Sequence, residues 1–567
     1  MKALRLRRTL RFFNLSLIFH FLFLPFFMSG QEMKNGMVVS AEPFASKAGL
    51  KILREGGNSI DAAVAVGFAL AVTYPVAGNI GGGGYMVIRT KDGKDIAIDY
   101  RESAPSGSMK DMYLDSAGNF LPDLSQNGAL ASGVPGSVAG LLYALEKYGS
   151  LPLHKVIQPA INLAENGFQL SESAAEKLNS NRNRFIKYPS SSSVFTKNGS
   201  EYREGEIFVQ KDLAKTLRQI RDKGVNGFYD GWVAEKIVEQ MKHTGGIMTR
   251  EDLKSYKVIE RTPLKGSYRG YEILSMPPSS SGGVALIQLL NILENRSFHK
   301  ADFGSGKYFS LLSESMKRVY ADRSEYLGDP DFFNVPAEWL TSKEYAKSIY
   351  LGIGDSVTPS ALIKPGVRNF PKESEQTTHY SVYDKSGNAV SVTTTINSGF
   401  GSGLIVDGCG FFLNNEMDDF SAKPGSMNQF GLIGGTANSI QPGKRMLSSM
   451  TPTIVLEDGK PFLILGSPGG STIITVVLQV ILNTIDFDMP LKEAMDSPRI
   501  HHQWFPDEIQ YEQDGITEDV WKELIKMGYK KGAERKLGLV EGIRIDHRTG
   551  YLEGQSDKRG SGKTEGF

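Results

Sequence analysis

The stretch TTHYSVYDKSGNAVSVTTTIN, residues 377–397, decides the fold of this chain. Two runs of alternating apolar and polar residues flank the turn KSG at 385–387. This pattern is typical of a β-hairpin with a three-residue loop and glycine in the left-handed position. Such a loop sets Asp384 opposite Asn388, so the numbers of paired residues sum to 772. The stretch therefore predicts a hairpin with a defined register.

The predicted register gathers hydroxyl groups on one face of the hairpin. Thr377 falls opposite Thr395, and Thr393 and Asn397 share that face because side chains alternate with period two. A two-residue loop would shift the register by one and break the arrangement. Threonine is also an ordinary strand residue, so composition alone favours a structural role. The hairpin by itself leaves both interpretations open.

Outside the hairpin, hydrophobic periodicity predicts mostly helices in the first part of the chain and strands in the last. An earlier hairpin is predicted where the alternating runs MVIRT and DIAIDYRE flank the turn KDGK at 91–94. Residues 46–75 predict two helices broken at Gly56-Gly57, and about 106–370 is mostly helical in pattern. After residue 376 short apolar runs alternate with turns, which predicts strands and then a helix over about 473–483. Helices packed on stacked sheets form an α/β or α+β layered body. The predicted strands are THYSVYD, AVSVTTTI, GFFLNN (410–415), PTIVLED and PFLILGS, and the predicted helices before them include 136–148, 158–166, 210–222, 232–242 and 307–323.

Composition excludes several classes of function. The chain has 567 residues, 40% hydrophobic and 22% charged, which suits an ordinary globular protein. Lysine and arginine number 64 against 63 acidic residues, so no electrostatic footprint for nucleic acid is present. Cys409 is the single cysteine, and no grouping of cysteine and histidine reaches the ligand count of a zinc site. We therefore expect no metal and no cofactor.

The N-terminus has the layout of a secretory signal. Residues 1–11 are basic, residues 12–27 are apolar, and small residues follow at 28–30. The apolar run is shorter than the span of about 20 residues that crosses a bilayer, although an uncleaved anchor is the alternative. We expect residues 1–30 to be a cleaved signal peptide and the body to be periplasmic or secreted.

Two tempting motifs do not support a function. The tail GSGKT at 560–564 resembles a phosphate loop, but only three residues follow it, so no helix can present its N-terminus to a phosphate. A G-x-S-x-G nucleophile elbow and an H-E-x-x-H zinc motif are absent from the sequence. His501 and His502, beside Gln503 and Trp504, are interpreted as packed or capping residues rather than a catalytic pair.

Nearly the whole chain after residue 36 resembles the γ-glutamyltransferase (γ-glutamyl transpeptidase) family of bacterial type. The ordered motifs that carry this resemblance are GGNSIDAAVA, GNIGGGG, DYRESAP, GVPGS, PPSSSGG, TTHYSV, NNEMDDFS, LSSMTPT and GSPGGS. The resemblance implies an α+β fold, the four-layer αββα sandwich of N-terminal-nucleophile hydrolases. It also implies an inactive precursor that cuts itself before Thr377. Residues 31–376 would form a large subunit and residues 377–567 a small subunit, both in one core.

The resemblance implies catalytic roles for four residues. Thr377 is the expected nucleophile, Thr395 is expected to hydrogen-bond its hydroxyl, and Gly469 and Gly470 match the oxyanion hole. A threonine hydroxyl is a weak nucleophile that needs an adjacent base. The α-amine released by cleavage can be that base, because its reference pKa is about 7.7–8.0.

The resemblance also implies a substrate and the residues that bind it. Glutathione is the expected γ-glutamyl donor, and the γ-glutamyl group passes to water or to an amino acid or peptide amine. Arg101 suits the α-carboxylate because a guanidinium binds a carboxylate through two hydrogen bonds. The other substrate-binding residues are Ser448 and Ser449 for the same carboxylate, and Asn397, Glu416 and Asp419 for the α-ammonium.

Several positions depart from the usual bacterial pattern. Thr394 stands where an aromatic residue is common, Phe430 where the segment over the site often carries tyrosine, Thr436 where an acidic residue is common, and Thr472 where arginine follows GSPGGS. We expect these departures to affect processing, closure of the site and acceptor preference. Two alternatives remain open: a glutaryl-type acylase on the same fold, and an uncleaved protein that binds γ-glutamyl compounds without turnover.

Overall fold

The computed structural model describes residues 33–364, 377–423, 429 and 432–567. The strands are β1 (Gly36–Ser40), β2 (Gly83–Arg89), β3 (Asp95–Asp99), β4 (Phe168–Gln169), β5 (Ile207–Phe208), β6 (Ile259–Arg261), β7 (Leu264–Tyr268), β8 (Tyr271–Ser275), β9 (Thr378–Asp384), β10 (Ala389–Thr395), β11 (Thr453–Glu457), β12 (Lys460–Leu465), β13 (Ile500–His501), β14 (Ile509–Tyr511), β15 (Lys531–Glu534), β16 (Glu541–Ile545), β17 (Leu552–Ser556) and β18 (Lys563–Gly566). The helices are α1 (Pro43–Arg54), α2 (Ser59–Thr73), α3 (Pro122–Gln126), α4 (Ser137–Tyr148), α5 (Leu153–Val156), α6 (Gln158–Asn166), α7 (Glu172–Ser180), α8 (Arg182–Phe185), α9 (Pro189–Phe195), α10 (Lys211–Lys223), α11 (Asn226–Tyr229), α12 (Trp232–Thr244), α13 (Arg250–Ser255), α14 (Gly282–Leu293), α15 (Gly306–Tyr326), α16 (Ala337–Leu340), α17 (Lys343–Leu351), α18 (Ile473–Ile485), α19 (Leu491–Asp496) and α20 (Glu518–Met527).

The predicted hairpin forms the middle of the larger sheet, whose strand order is β18-β1-β9-β10-β2-β3-β6. Every residue pair between β9 and β10 sums to 772, from Ala389 with Tyr383 to Thr394 with Thr378. The backbone N–H of Asp384 donates to the Asn388 carbonyl at 3.1 Å, and Gly387 has φ +97°. The register and the left-handed glycine predicted from the turn are both confirmed.

The two large sheets stack face to face between two layers of helices. The second sheet has the order β17-β16-β12-β11-β8-β7. On the outer face of the first sheet, the buried helix α2 packs with Tyr380 and Val382 of β9. Beyond the second sheet, α14 and α18 bury their apolar residues against strands such as β11 and β12. The fold is therefore α+β, and the αββα sandwich is confirmed.

Strands from both sides of residue 377 interleave within each large sheet. In the first sheet β1 pairs with β9 and with β18, and β2 pairs with β10. In the second sheet β8 pairs with β11. The stretches before and after residue 377 therefore share one body, as expected for two subunits cut from a single precursor.

One secondary-structure prediction is wrong and another is incomplete. GFFLNN (410–415) was expected to be a strand, but it carries only an isolated bridge between Phe412 and Ile405. The range 106–370, expected to be mostly helical, also contains β4–β8, of which β7 and β8 form one edge of the second sheet. β7 and β8 are five residues each and follow one another closely, so their period-two pattern is lost among the surrounding helices.

The structure of the segment GSGKT (560–564) agrees with the prediction that it is not a phosphate loop. Lys563 and Thr564 of GSGKT lie in β18, which pairs with β1. The predicted signal peptide, residues 1–30, lies outside the described residues. Among the helices that the structure describes, none has the length and apolar character needed to cross a bilayer.

Candidate active site

A cavity with about 320 Å³ of empty space brings together nine of the ten residues that the sequence predicted for the site. Gly469, the tenth, directly precedes Gly470 in its wall. A larger cavity of about 940 Å³ lies elsewhere, beside Phe44 and Lys177, and contains none of the predicted residues. The smaller cavity is lined by Arg101, Arg323, Thr377, Thr395, Asn397, Glu416, Asp419, Leu432, Leu447, Ser448, Ser449, Met450, Gly470 and Ile473.

Thr377 immediately precedes β9 and is 7% exposed. The β9–β10 pairing ends with Thr394 opposite Thr378, and the same register extended by one residue sets Thr395, the last residue of β10, opposite Thr377. The Thr395 hydroxyl accepts a hydrogen bond from the backbone N–H of Asn397 at 2.8 Å. Asn397 has φ +71°, a conformation that asparagine tolerates better than most residues. The left-handed residue turns the chain so that Asn397 joins both threonines in the cavity wall.

Arg101 follows β3 and lies buried at the centre of a group of carboxylates. Its guanidinium contacts Glu416 Oε2 and Asp419 Oδ2, each at 2.5 Å, and Glu102 Oε2 at 3.4 Å. Its Nε donates to the Met446 carbonyl at 3.3 Å. The residues predicted to bind opposite ends of the substrate therefore contact each other.

The charges of this cluster depend on one another. Burial acts to lower the pKa of Arg101, but the carboxylates of Glu416, Glu102 and Asp419 outweigh it and raise the pKa. Burial raises the pKa of Glu416 and of Asp419, although the Arg101 charge opposes the shift in both. Removing the cation would leave buried acids without a partner, which is costly in a low-dielectric interior.

The chain segment that supplies the acids is fastened by Asn414. Its side-chain amide donates to the carbonyls of Gly81 and Gly133, at 2.9 and 2.8 Å, and its Oδ1 accepts from the Gly133 N–H at 2.9 Å. The same Oδ1 accepts from the backbone N–H of Glu416 at 3.1 Å. Asn414 thus joins the GNIGGGG and GVPGS motifs to the turn Glu416–Asp419.

The two serines of LSSM are held by PPSSSGG and by an arginine that the sequence analysis missed. The Ser281 N–H donates to the Ser448 carbonyl at 2.8 Å. Arg323 of α15 donates through Nη2 to Ser449 Oγ at 3.1 Å and through Nε to Ser281 Oγ at 2.9 Å. Burial lowers the pKa of Arg323 to about 10. A charged residue on the buried stripe of α15, which Met316 and Tyr320 share, was the available signal.

The GSPGGS motif forms a glycine turn at the start of α18. Gly469 has φ +134° and Gly470 has φ +52°, values that favour glycine. Neither backbone N–H donates to another residue within the described parts of the chain. Both are therefore available to an oxyanion. Thr472, which departs from the family pattern, donates from its hydroxyl to the Gly469 carbonyl at 2.8 Å.

Two of the other departures make local hydrogen bonds. Thr394 donates from its hydroxyl to the Gly83 carbonyl at 2.8 Å, so it bonds the neighbouring strand β2. Thr436 begins a short 3-10 turn, and the Thr436 carbonyl accepts a hydrogen bond from Ser439 Oγ at 2.9 Å. Phe430 lies outside the described residues.

Comparison with known proteins agrees with the geometry. The sequence model of the family described as "Gamma-glutamyltranspeptidase" matches residues 45–567. The chain belongs to the gamma-glutamyltranspeptidase family. It is 50% identical over 528 residues to the glutathione hydrolase proenzyme of Escherichia coli (strain K12), across 93% of this chain and 90% of that protein.

Solved structures show the same fold. Helicobacter pylori gamma-glutamyltranspeptidase is 54% identical, with a TM-score of 0.57 over 58% of this chain and 94% of that one. A cephalosporin acylase from Bacillus halodurans is 29% identical, with a TM-score of 0.85 over 94% of this chain and 96% of that one. Acylases therefore share the fold of this gamma-glutamyltranspeptidase family member at lower sequence identity.

His379 gives this family member a predictable acid sensitivity. Its ring nitrogens lie 2.9 Å from Thr393 Oγ1 and 3.1 Å from Ser381 Oγ, and burial lowers its pKa to about 3. The unfolded chain, with an ordinary histidine pKa near 6.5, binds this proton more tightly than the folded chain. The stabilising effect is therefore present above pH 6.5 and is lost as the pH falls from 6.5 towards 3.

We expect His379→Gln to reduce the loss of unfolding free energy between pH 7 and pH 5 by about 2 kcal/mol. Urea unfolding at the two pH values measures this difference. His243→Gln, at an exposed position, is the matched control and should behave as the unsubstituted protein. An equal acid-induced loss in His379→Gln and the control would contradict the assignment.

Proposed function

We propose that this chain is the precursor of a γ-glutamyltransferase and glutathione hydrolase whose nucleophile is Thr377. The observation that carries the proposal is the cavity in which Thr377 and Thr395 lie beside a buried arginine, acids and Gly470 of the glycine turn. The proposed cut lies between Gln376, which is outside the described residues, and Thr377. Residues 31–376 and 377–567 then become the large and small subunits.

Self-cleavage is an N-to-O acyl shift followed by hydrolysis. The Thr377 hydroxyl attacks the Gln376 carbonyl, the peptide C–N bond breaks, and the Thr377 nitrogen takes up a proton as an ester forms. Water then cleaves the ester, which leaves a carboxylate on Gln376 and restores the Thr377 hydroxyl. Thr395, opposite Thr377, is the proposed hydrogen-bond partner of that hydroxyl.

The released α-amine then serves as the base for catalysis. With a pKa of about 7.7–8.0, a useful fraction is neutral at physiological pH and accepts the hydroxyl proton as oxygen attacks the γ-carbonyl. The Gly469 and Gly470 N–H groups hold the oxyanion. The same amine returns the proton to the leaving nitrogen, which leaves a γ-glutamyl ester on Thr377. Water or the amine of an amino acid or peptide then takes the acyl group.

Recognition of the substrate is an exchange of ion pairs. The free α-amino acid end of a γ-glutamyl compound carries one carboxylate and one ammonium. We propose that the substrate carboxylate replaces the acids on Arg101 and accepts hydrogen bonds from Ser448 and Ser449. The ammonium is then bound by Asn397, Glu416 and Asp419. The net buried charge is unchanged by this exchange, because the substrate brings one positive and one negative charge. Arg101 and the acids therefore each keep a partner of opposite charge.

Residues 1–30 are proposed to direct the precursor to the periplasm or the exterior. The support is the order of a basic segment, an apolar segment and small residues in the sequence.

Thr377→Ala should remain one full-length polypeptide and lack activity, because it has neither the attacking hydroxyl nor the released amine. A denaturing gel and release of 4-nitroaniline from a γ-glutamyl anilide measure both effects. Thr377→Ser is the matched control and should still form two fragments. Two fragments with activity from Thr377→Ala would show that another residue is the nucleophile, and a lasting single band for the unsubstituted protein would favour the binding-protein alternative.

The acylase alternative is tested with a glutaryl anilide, which has the carboxylate but lacks the ammonium. Leaving Asp419 without a cation removes one partner of a buried pair, which costs about 3–5 kcal/mol. We therefore expect kcat/KM at least about a hundredfold lower than for the γ-glutamyl anilide. Asp419→Asn should reduce the ratio of kcat/KM for the γ-glutamyl anilide to kcat/KM for the glutaryl anilide, because it lowers kcat/KM for the γ-glutamyl anilide selectively. Equal rates on the two anilides would favour the acylase.

A further inference from the structure

Residue Ser471, next to the glycine turn, is held by side chains from two distant parts of the chain. Its hydroxyl donates to Gln503 Oε1 at 2.7 Å, and the Tyr320 hydroxyl donates to its carbonyl. Both Ser471 and Gln503 are buried. The turn is thus anchored through both a side chain and a backbone group.

Gln503 is itself held by a histidine. His501 Nε2 lies 2.9 Å from Gln503 Oε1, and His501 Nδ1 lies 2.8 Å from Thr475 Oγ1. An amide oxygen only accepts, so the facing His501 nitrogen carries the proton. The other ring nitrogen is then unprotonated and faces the Thr475 hydroxyl, which also lies 3.0 Å from the Thr472 carbonyl. Burial lowers the pKa of His501 to about 3, so the ring stays neutral and keeps this pattern.

These contacts close a loop at the start of α18. Ser471 and Thr475 are four residues apart and therefore lie on the same side of a helical turn. The pair Gln503 and His501 bridges them. The bridge fixes the rotation of the first turn of α18, and with it the direction of the N–H groups just before it.

A glycine turn needs such support more than other segments do. Glycine has the widest backbone freedom of any residue, and an oxyanion hole works only if its donors are already aimed at the developing charge. We infer that Gln503 is a positioning residue, which acts through Ser471 to aim the Gly469 and Gly470 N–H groups at the oxyanion. This inference rests on the proposed function of the glycine turn.

The test compares Ser471→Ala, Gln503→Met and the double variant. We expect each single variant to lower kcat at least about tenfold for hydrolysis of a γ-glutamyl 4-nitroanilide, with KM changed less than about twofold. The oxyanion exists only in the transition state, so its loss lowers kcat rather than raising KM. Activity is expressed per cleaved chain, counted on a denaturing gel. The double variant should be no slower than the worse single variant, because each single variant already removes the same Ser471–Gln503 hydrogen bond.

Two further variants separate positioning from general stability. Gln503→Glu keeps an oxygen acceptor for Ser471 and should recover part of the kcat lost in Gln503→Met. Gln479→Met is the matched control, since Gln479 is a buried glutamine that binds the Ile500 backbone N–H at 3.0 Å and carbonyl at 2.8 Å. It should lower the melting temperature and leave kcat within about twofold.

A kcat within about twofold of the unsubstituted value in Ser471→Ala and Gln503→Met would overturn the inference. An increase in KM alone, or losses that multiply in the double variant, would also overturn it. Ser471→Ala deletes one oxygen atom and decides the question if Gln503→Met does not fold. Failure of the proposed function is distinguishable, because the unsubstituted protein would then release no nitroaniline or remain uncut before Thr377.

Discussion

The antiparallel pairing of β9 with β10 is the constraint on which the rest of the site depends. Its register, extended by one residue, sets Thr377, just before β9, opposite Thr395 at the end of β10, in the middle of a sheet. Burial on both faces fixes the register, because a slip of one residue would turn Tyr380 and Val382 away from the helices they pack against. The fixed register of the hairpin therefore fixes the position of the proposed nucleophile, Thr377.

A second constraint is electrostatic. Arg101, Glu102 and Glu416 are buried, Asp419 is 12% exposed, and the three carboxylates contact the one guanidinium. A group of this kind discriminates strongly, since a ligand that supplies only one charge leaves the opposite one unpaired. The proposed preference for a free amino acid end follows from these ion pairs.

The sequence predicted local structure well wherever a local signal was strong. The turn at 385–387 determined the register of the hairpin, and apolar periodicity predicted α2 and α18. The GFFLNN prediction was wrong because an apolar run of that length does not distinguish a strand from buried irregular backbone. The site residues came from a resemblance to known motifs. Arg323 and Gln503 were missed as contacts because each reaches its partner serine from a separate element, which spacing along the chain does not report.

Mass spectrometry of purified, fully active protein tests the central claim most directly. The account predicts a smaller polypeptide of 191 residues, Thr377–Phe567, that begins with a free amino group. An intact bond between residues 376 and 377 in fully active material would contradict it.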